Sequence, residues 1–153
     1  MSATTAPDVL DYLVALMHAN APEGTTVIDG HPGTAQDPMM LTLGGVNAPT
    51  VQWSQTAAEL GRASTAREEH YMVLMVASAA VGGGQENESQ VRGEAWSIVK
   101  AIDAAIRQDP TLGNLCRRAD VVQGQAFGTD PETVGGGRLW SIEFYVDVTA
   151  RTN

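Results

Sequence analysis

The chain of 153 residues has one cysteine, a single lysine among nine basic residues, and few aromatic side chains, which make up 5% of it. Because Cys116 stands alone, no disulfide can form within the chain. No lysine or arginine occurs before Arg62, so residues 1–61 contain six acids and no base. The net charge is −9. A surface this acidic repels phosphate groups, which argues against a nucleic-acid reader or a polybasic membrane-binding protein.

Long apolar runs and the motifs of several enzyme classes are also missing. The longest uncharged apolar stretch, residues 72–81, has ten residues, whereas a membrane-spanning helix needs about 20. No cation precedes the apolar residues near the N-terminus, and Asp8 and Asp11 interrupt them, so we expect no signal peptide. Neither glycine triplet is followed by the lysine of a phosphate-binding loop, and no serine-hydrolase elbow is present.

The titratable side chains show no catalytic or metal-binding spacing. Asp29 and His31, with Asp37 nearby, form the one group that suggests a metal site, but it lacks the ligand number and spacing of a known loop. We expect Cys116 to be a small packed hydrophobe rather than a reactive thiol. The sequence therefore predicts no catalytic residue, no cofactor and no metal, and a protein that is not an enzyme.

What is present is clear hydrophobic periodicity. Apolar residues recur at spacings of three and four in two segments, which predicts helices. The last strand alternates between apolar and polar side chains, the pattern of a half-buried antiparallel strand. We predict helices over residues 8–19 and 88–108, and strands over 25–29, 39–43, 50–53, 68–80, 119–127 and 140–149.

The predicted fold is a single α+β domain spanning residues 1–153. Its sheet is mixed and mostly antiparallel, its two main helices pack on one face, and its element order is α-β-β-β-α-β-β with long extended loops. Residues 30–67 are the least regular region, and within it residues 54–66 read as a loop. Apolar side chains in this polar setting are candidates for a subunit interface: Met39, Met40, Leu41 and Trp53. Trp53 is equally well explained as a side chain that pins the loop to its own core.

The order of several features resembles a known family. They are Val27-Ile28-Asp29-Gly30, a tryptophan in an irregular region, Arg67-Glu68-Glu69 before a strand, and a helix ending in Asp109-Pro110-Thr111-Leu112-Gly113. A closing strand over residues 142–151 completes the match. In this order the chain resembles the tail terminator proteins of long-tailed, non-contractile bacteriophages, also called tail completion or minor tail proteins, of the type common in phages of actinobacteria.

The resemblance implies a structural virion protein with no membrane association. Such proteins form a homo-oligomeric ring, usually a hexamer, at the head-proximal end of the tail tube. The ring ends polymerisation of the tail tube protein and provides the docking surface for the head–tail connector or stopper protein. Genomic DNA passes through its lumen without specific binding, which an acidic wall would favour. Assembly is expected in the host cytoplasm.

Three alternatives remain open at this point. Another head–tail joining ring protein, such as a stopper or adaptor, has similar requirements. A small acidic oligomeric enzyme or ligand-binding domain would instead need a pocket lined by convergent polar groups. A phage-encoded protein that interacts with the host is the third alternative.

Overall fold

A computed structural model describes residues 4–30, 37–45, 48–57, 66–81, 88–129 and 138–152. Within these ranges the chain forms two helices and six strands in one sheet. The elements are α1 (Ala6–Asn20), β1 (Thr26–Asp29), β2 (Met39–Leu43), β3 (Val51–Ala57), β4 (Arg67–Val81), α2 (Glu88–Gln108), β5 (Arg118–Thr129) and β6 (Arg138–Thr152). The α+β class predicted from the sequence is confirmed.

The sheet is mixed and mostly antiparallel, as predicted. Its main path runs β1-β2-β4-β6-β5; β1 and β2 are parallel, and every other pair is antiparallel. Strand β4 is long enough to take two partners along one edge: β2 lies opposite residues 75–79 and β3 opposite residues 67–73. Between those partners, the backbone of Leu74 bonds to Gly44 and Thr50, so hydrogen bonding along β4 continues without a break.

The core lies between one face of the sheet and the two helices, again as predicted. Alternate residues of β4 and β6 face the helices and are buried, including the cross-strand pairs Tyr71–Val148 and Met75–Phe144. The apolar stripe of α2 covers this face with Val91, Ala95, Ile98, Val99, Ile102 and Ile106. Helix α1 completes the layer with Val9, Leu13, Leu16 and Met17. We call this side of the sheet the helix face and the other side the open face.

The turn after α2 explains the Asp-Pro-Thr-Leu-Gly run. The Asp109 carboxylate accepts hydrogen bonds from the Thr111 hydroxyl at 2.6 Å, the Thr111 amide at 3.2 Å and the Gly113 amide at 2.9 Å. Leu112, Gly113 and Asn114 all have a left-handed backbone, with φ of 48°, 68° and 66°. This reversal buries the Leu112 side chain in the core. The motif is therefore a structural turn that closes α2 onto the domain.

Two details differ from the predicted organisation. Four strands separate the two helices, which agrees with the four strand ranges predicted there, whereas the predicted order α-β-β-β-α-β-β counts only three. Strand β3 extends to Ala57, where the sequence predicts a loop from residue 54, because pairing with β4 gives these polar residues backbone partners.

Other predictions fall partly or wholly outside the described residues. The region 30–67 contains β2 and β3, so it is not a single irregular segment, but residues 31–36, 46–47 and 58–65 are not among those described. The same holds for both glycine triplets, which lie within residues 82–87 and 130–137. None of the described helices is long and apolar enough to cross a membrane.

Candidate functional site

Large exposed hydrophobic side chains mark two strands of the sheet. Among the described residues, Trp53 is 52% exposed, Val122 48% and Phe127 46%; the fourth such side chain, Trp96, lies on α2. Trp53 belongs to β3 and the other two to β5, and each of these strands pairs with another strand on one side only within the described chain. Apolar exposure is therefore concentrated where the sheet has unpaired backbone edges, a combination typical of interaction surfaces.

The Trp53 indole is exposed but held in place. Its register partner on β4 is Tyr71, which puts the indole on the helix face, beside the start of α1. The indole Nε1 donates a hydrogen bond of 2.7 Å to Glu69 Oε2. One side of the ring borders a shallow groove of ≈ 360 Å³ that is also lined by Thr4, Ala6, Pro7, Leu10 and Val51. A fixed aromatic ring beside an apolar groove loses little side-chain entropy when a partner covers it.

Glu69 is the buried acceptor that fixes this arrangement. Its side chain is 0% exposed. Besides the Trp53 bond, the carboxylate accepts hydrogen bonds from the Thr5 amide at 2.9 Å, the Thr5 hydroxyl at 2.6 Å and the Gln55 amide nitrogen at 3.3 Å. A buried carboxylate surrounded by donors avoids the desolvation cost of an unpaired charge. Glu69 thus joins α1, β3 and β4 at a single point.

The protonation states around Glu69 favour an anchor over acid–base chemistry. Burial alone raises the pKa of Glu69, but the hydrogen bonds from Thr4, Thr5 and Trp53 outweigh it and hold this pKa below its ordinary value. Burial raises the pKa of Tyr71 well above the usual range of a phenol. Because the Thr5 hydroxyl gives its hydrogen to Glu69, the Tyr71 hydroxyl donates to Thr5 Oγ1 across 2.9 Å. The chain Tyr71–Thr5–Glu69 therefore has its protons in fixed positions.

This arrangement also changes the role of Thr5. Thr5 occupies the N-cap position of α1. Its hydroxyl makes no capping bond, because that hydroxyl is committed to Glu69. The Ala6 amide instead donates to the Thr4 hydroxyl at 3.1 Å.

The exposed part of β5 lies beyond the cover of α2. Near the start of β5, Ala119 is buried in the core and Asp120 and Val121 are half-buried, but all of residues 122–128 are exposed. A β-bulge between Val121 and Gln123 marks the change. The exposed stretch reads Val-Gln-Gly-Gln-Ala-Phe-Gly and contains no charged residue and no proline. Edge strands usually carry such residues as protection against pairing with other chains, so this edge is unusually open.

The predicted interface residues do not form one patch. Met39, Met40 and Leu41 lie in β2, between β1 and β4; Met40 and Leu41 are buried, and Met39 is half-buried. Met39 and Trp53 lie opposite Ala79 and Tyr71 of β4, which places them roughly 26 Å apart along the sheet at about 3.3 Å per residue. Of the four candidates, Trp53 is the one whose side chain is mainly exposed. Their role in a subunit interface stays a prediction.

Sequence reasoning missed Val122 and Phe127. The strand around them is predicted, but its alternation does not say which of its edges is left unpaired. The available signal was the absence of charge over residues 122–128 in a chain of net charge −9.

Cys116 and His70, two side chains of reactive type, are respectively packed against the core and paired with a carboxylate. Burial raises the pKa of Cys116 to about 11, which keeps the thiol protonated at neutral pH, and the side chain packs against the core. His70 pairs with Asp147 on the open face. Within the described parts of the chain, no group of three or more histidine, cysteine or acidic side chains could hold a metal ion. The predicted candidate at Asp29 includes His31, which lies outside them.

Comparison with known proteins adds no relative. No protein-family model matches the chain, and no curated protein matches it. Three strands of the described chain, β1, β3 and β5, pair on one side only, and two of them, β3 and β5, carry large exposed hydrophobic side chains, including the fixed Trp53. The tail terminator assignment therefore remains a prediction from resemblance.

Proposed function

We propose that this protein is a structural subunit that forms a ring at the head-proximal end of a phage tail tube. In this role it ends tube polymerisation and presents the docking surface for the head–tail connector. The observation that carries the proposal is a pair of uncharged strand segments, residues 51–57 of β3 and 122–129 of β5, which lie at opposite edges of one sheet and expose Trp53, Val122 and Phe127.

A ring needs two different surfaces on every subunit. In a closed cyclic assembly the contacts are heterologous, so one patch of each copy binds a second patch of the next copy. Strands β3 and β5 supply two such patches, separated by β4 and β6. Because β3 and β5 lie at opposite edges of the sheet, each can contact a different neighbouring copy at the same time.

The charge of the chain restricts where copies can meet. Each copy carries a net charge of −9, so two copies repel each other over most approaches. The segments 51–57 and 122–129 contain no charged side chain, and they also expose three large apolar ones. Contact through these segments buries apolar surface without bringing two acidic groups together.

The position of the proposed ring, at the head-proximal end of the tail tube, comes from the resemblance to tail terminator proteins. The Asp-Pro-Thr-Leu-Gly run that contributes to the resemblance is a turn built into this fold. It therefore supports a shared architecture, and the function follows from that architecture by analogy. A stopper or adaptor ring is the neighbouring possibility within the same class.

Native mass spectrometry and negative-stain microscopy of the purified protein test the proposal, with tube subunits added in a second step. We expect rings with a central pore, and tail tubes that stop growing when the protein is present. Binding to head connectors with no effect on tube growth would assign the protein to the stopper or adaptor role instead. Monomers at every concentration, together with unaltered tube growth, would overturn the proposal.

A matched pair of variants locates the assembly surface. Phe127→Lys places a charge on β5, whereas Trp96→Lys places one on an equally accessible aromatic position of α2. We expect the first variant to abolish rings and the second to retain them, since charged side chains protect strand edges from pairing. Loss of rings in both variants, or in neither, would contradict this assignment of the surface.

A further inference from the structure

We propose that β5 of one copy pairs with β3 of the next copy through backbone hydrogen bonds, so that the sheets of neighbouring subunits join. This inference rests on the ring assembly proposed above and specifies its contact. The partner is a second copy of the same chain, and the mode of contact is addition of a strand to an open sheet edge.

The two strands match in length and in chemistry. The exposed part of β5 covers residues 122–128, and β3 spans seven residues, Val51–Ala57. Neither segment contains proline, so neither has a residue without a backbone amide; in each strand the amides alternate between the side paired with β4 or β6 and the outer side. Within the described chain no further strand pairs with the outer side of either one.

The strand directions match as well. Strand β3 is antiparallel to β4, β4 to β6, and β6 to β5, so β3 and β5 run in opposite directions within one subunit. Residues 51–57 are level with residues 67–73 of β4, whereas residues 123–128 are level, through β6, with residues 74–79 of β4. The strands must therefore be tilted against the ring axis, as they are in a closed barrel, for the two segments to meet in neighbouring copies. A rotation about such an axis keeps the local strand directions the same in every copy. Strand β5 of one copy then meets β3 of the next in the antiparallel sense, and the alternation of the sheet continues across the contact.

Side-chain size is complementary on the helix face. There β3 presents the large, fixed Trp53 indole, which Glu69 holds in place. On the same face β5 presents Gly124 and Ala126, which lie opposite Phe144 and Ile142 of β6 and are exposed. A row of small residues leaves room for the indole of a neighbouring copy. Burial of that ring is the largest apolar gain that either strand offers.

On the open face the sizes are reversed. Strand β5 presents Phe127, and β3 presents Gln52, Ser54 and Thr56, all of them exposed. Large side chains on each strand thus face small or polar ones on the other. Pairing of β5 with a second β5 would lack this complementarity, because both strands would present the same glycine and alanine row.

Disulfide trapping tests the pairing directly. In a Cys116→Ser background, one cysteine is placed on the open face of β5 (Gln123→Cys or Gln125→Cys) and one on the open face of β3 (Gln52→Cys or Ser54→Cys). The four combinations cover neighbouring registers, and antiparallel neighbours bring Cα atoms within about 6 Å, the separation that a disulfide spans. We expect at least one combination to give a covalent ladder up to the full ring. Each single-cysteine parent should give no ladder.

The outcomes separate this inference from the ring itself. Rings in native mass spectrometry without a ladder from any combination would overturn the strand pairing and leave the ring intact. Efficient dimers from Gln125→Cys alone would show β5 meeting β5 and would also overturn it. Monomers throughout would overturn both proposals. The control carries Ala15→Cys and Ala104→Cys, two exposed helix positions that should give no ladder.

The indole-to-small-residue contact has its own test. Ala126→Trp fills the small row on β5 while leaving the backbone edge unchanged, and it should prevent ring formation. Gln125→Trp adds the same bulk on the open face and serves as the matched control. Rings of normal stability in Ala126→Trp would overturn the placement of Trp53 against this row.

Discussion

Glu69 and Asp109 are carboxylates that accept the same kinds of hydrogen bond. The donors lie close to Asp109 in the sequence but far from Glu69. Each accepts bonds from backbone amides and from a threonine hydroxyl, and each has a pKa held below the ordinary value. Asp109 binds Thr111 and Gly113, two and four residues away, at the surface. Glu69 is buried and binds Thr5, 64 residues away, and Trp53, 16 residues away.

The difference shows what each carboxylate can organise. The turn at Asp109 sets the direction of the chain after α2 and needs only neighbouring residues. The junction at Glu69 positions α1, β3 and the exposed indole relative to one another, so it forms only when the whole domain folds. The candidate assembly surface therefore depends on the long-range carboxylate, whereas the motif that carries the family resemblance depends on the local one.

The largest expected effect is that of Glu69→Ala. The substitution removes the acceptor of the Trp53 indole, the Thr5 amide and the Thr5 hydroxyl. Leaving buried donors unpaired costs about 1–3 kcal/mol per group, so we expect a loss of about 3 kcal/mol in the free energy of unfolding. Urea denaturation followed by tryptophan fluorescence measures this loss, and the emission should shift because the indole is no longer fixed.

Asp109→Ala is the matched control for that experiment. Its partners lie close to water, which replaces the lost acceptor, so the destabilisation should be clearly smaller than for Glu69→Ala. Equal destabilisation of the two variants would show that the Glu69 junction contributes no more to the stability of the fold than the Asp109 turn does.

A smaller effect is expected for Gly113→Ala in the Asp109 turn. Residue 113 has a φ of 68°, and an added Cβ would lie 3.0 Å from Cε2 of Tyr12 in α1. The strained backbone and the contact together should cost about 1–2 kcal/mol in the free energy of unfolding. The midpoint of urea unfolding reports this cost.

Gly93→Ala gives the opposite sign and serves as the control. Gly93 lies on the exposed side of α2, and an added Cβ meets nothing within 4 Å. Replacing a helical glycine by alanine should stabilise the protein by up to about 1 kcal/mol. A stabilising Gly113→Ala substitution would show that the turn does not need its left-handed backbone.

Local patterns predict the fold because they are tied to its periodicities. The apolar stripe of α2 gives its bounds at residues 88–108, and the alternation in β6 identifies the buried set from Ile142 to Val148. The end of β3 is different, since residues 54–57 are small or polar and become a strand only through pairing with β4. The side-chain pattern of residues 54–57 does not indicate that β4 pairs with them.

The site is less predictable than the fold for the same reason. Trp53 stands out by its type in a polar region, but its exposure follows from the position of β3 beside β4. Met40 and Leu41 look similar in the sequence and are buried, because β2 is flanked by β1 and β4. Which strand lies at an edge is a property of the assembled sheet. The lack of charge over residues 122–128 of β5 is the one part of that property visible along the chain.

The smallest expected effect separates the two carboxylates by their response to acid. The hydrogen bonds at Glu69 outweigh burial and lower its pKa below the ordinary 4.5 of a glutamate. Bonds from Thr111 and Gly113 lower that of Asp109 below the ordinary 3.8 of an aspartate. A group with a lowered folded-state pKa stabilises the fold fully above its unfolded pKa and loses this contribution as the pH falls through the folded one. Both groups therefore make the protein less stable in acid.

Glu69→Gln and Asp109→Asn remove these contributions one at a time. Free energies of unfolding measured from about pH 7 to about pH 3 should fall most steeply in the wild type. Because the Glu69 contribution begins to disappear at the higher pH, Glu69→Gln should flatten the decline from about pH 4.5 downward, and Asp109→Asn only below about pH 4. Parallel pH profiles for the wild type and Glu69→Gln would mean that the buried carboxylate does not couple protonation to the junction. The loss of folding stability in acid would then have to arise from other groups in the chain.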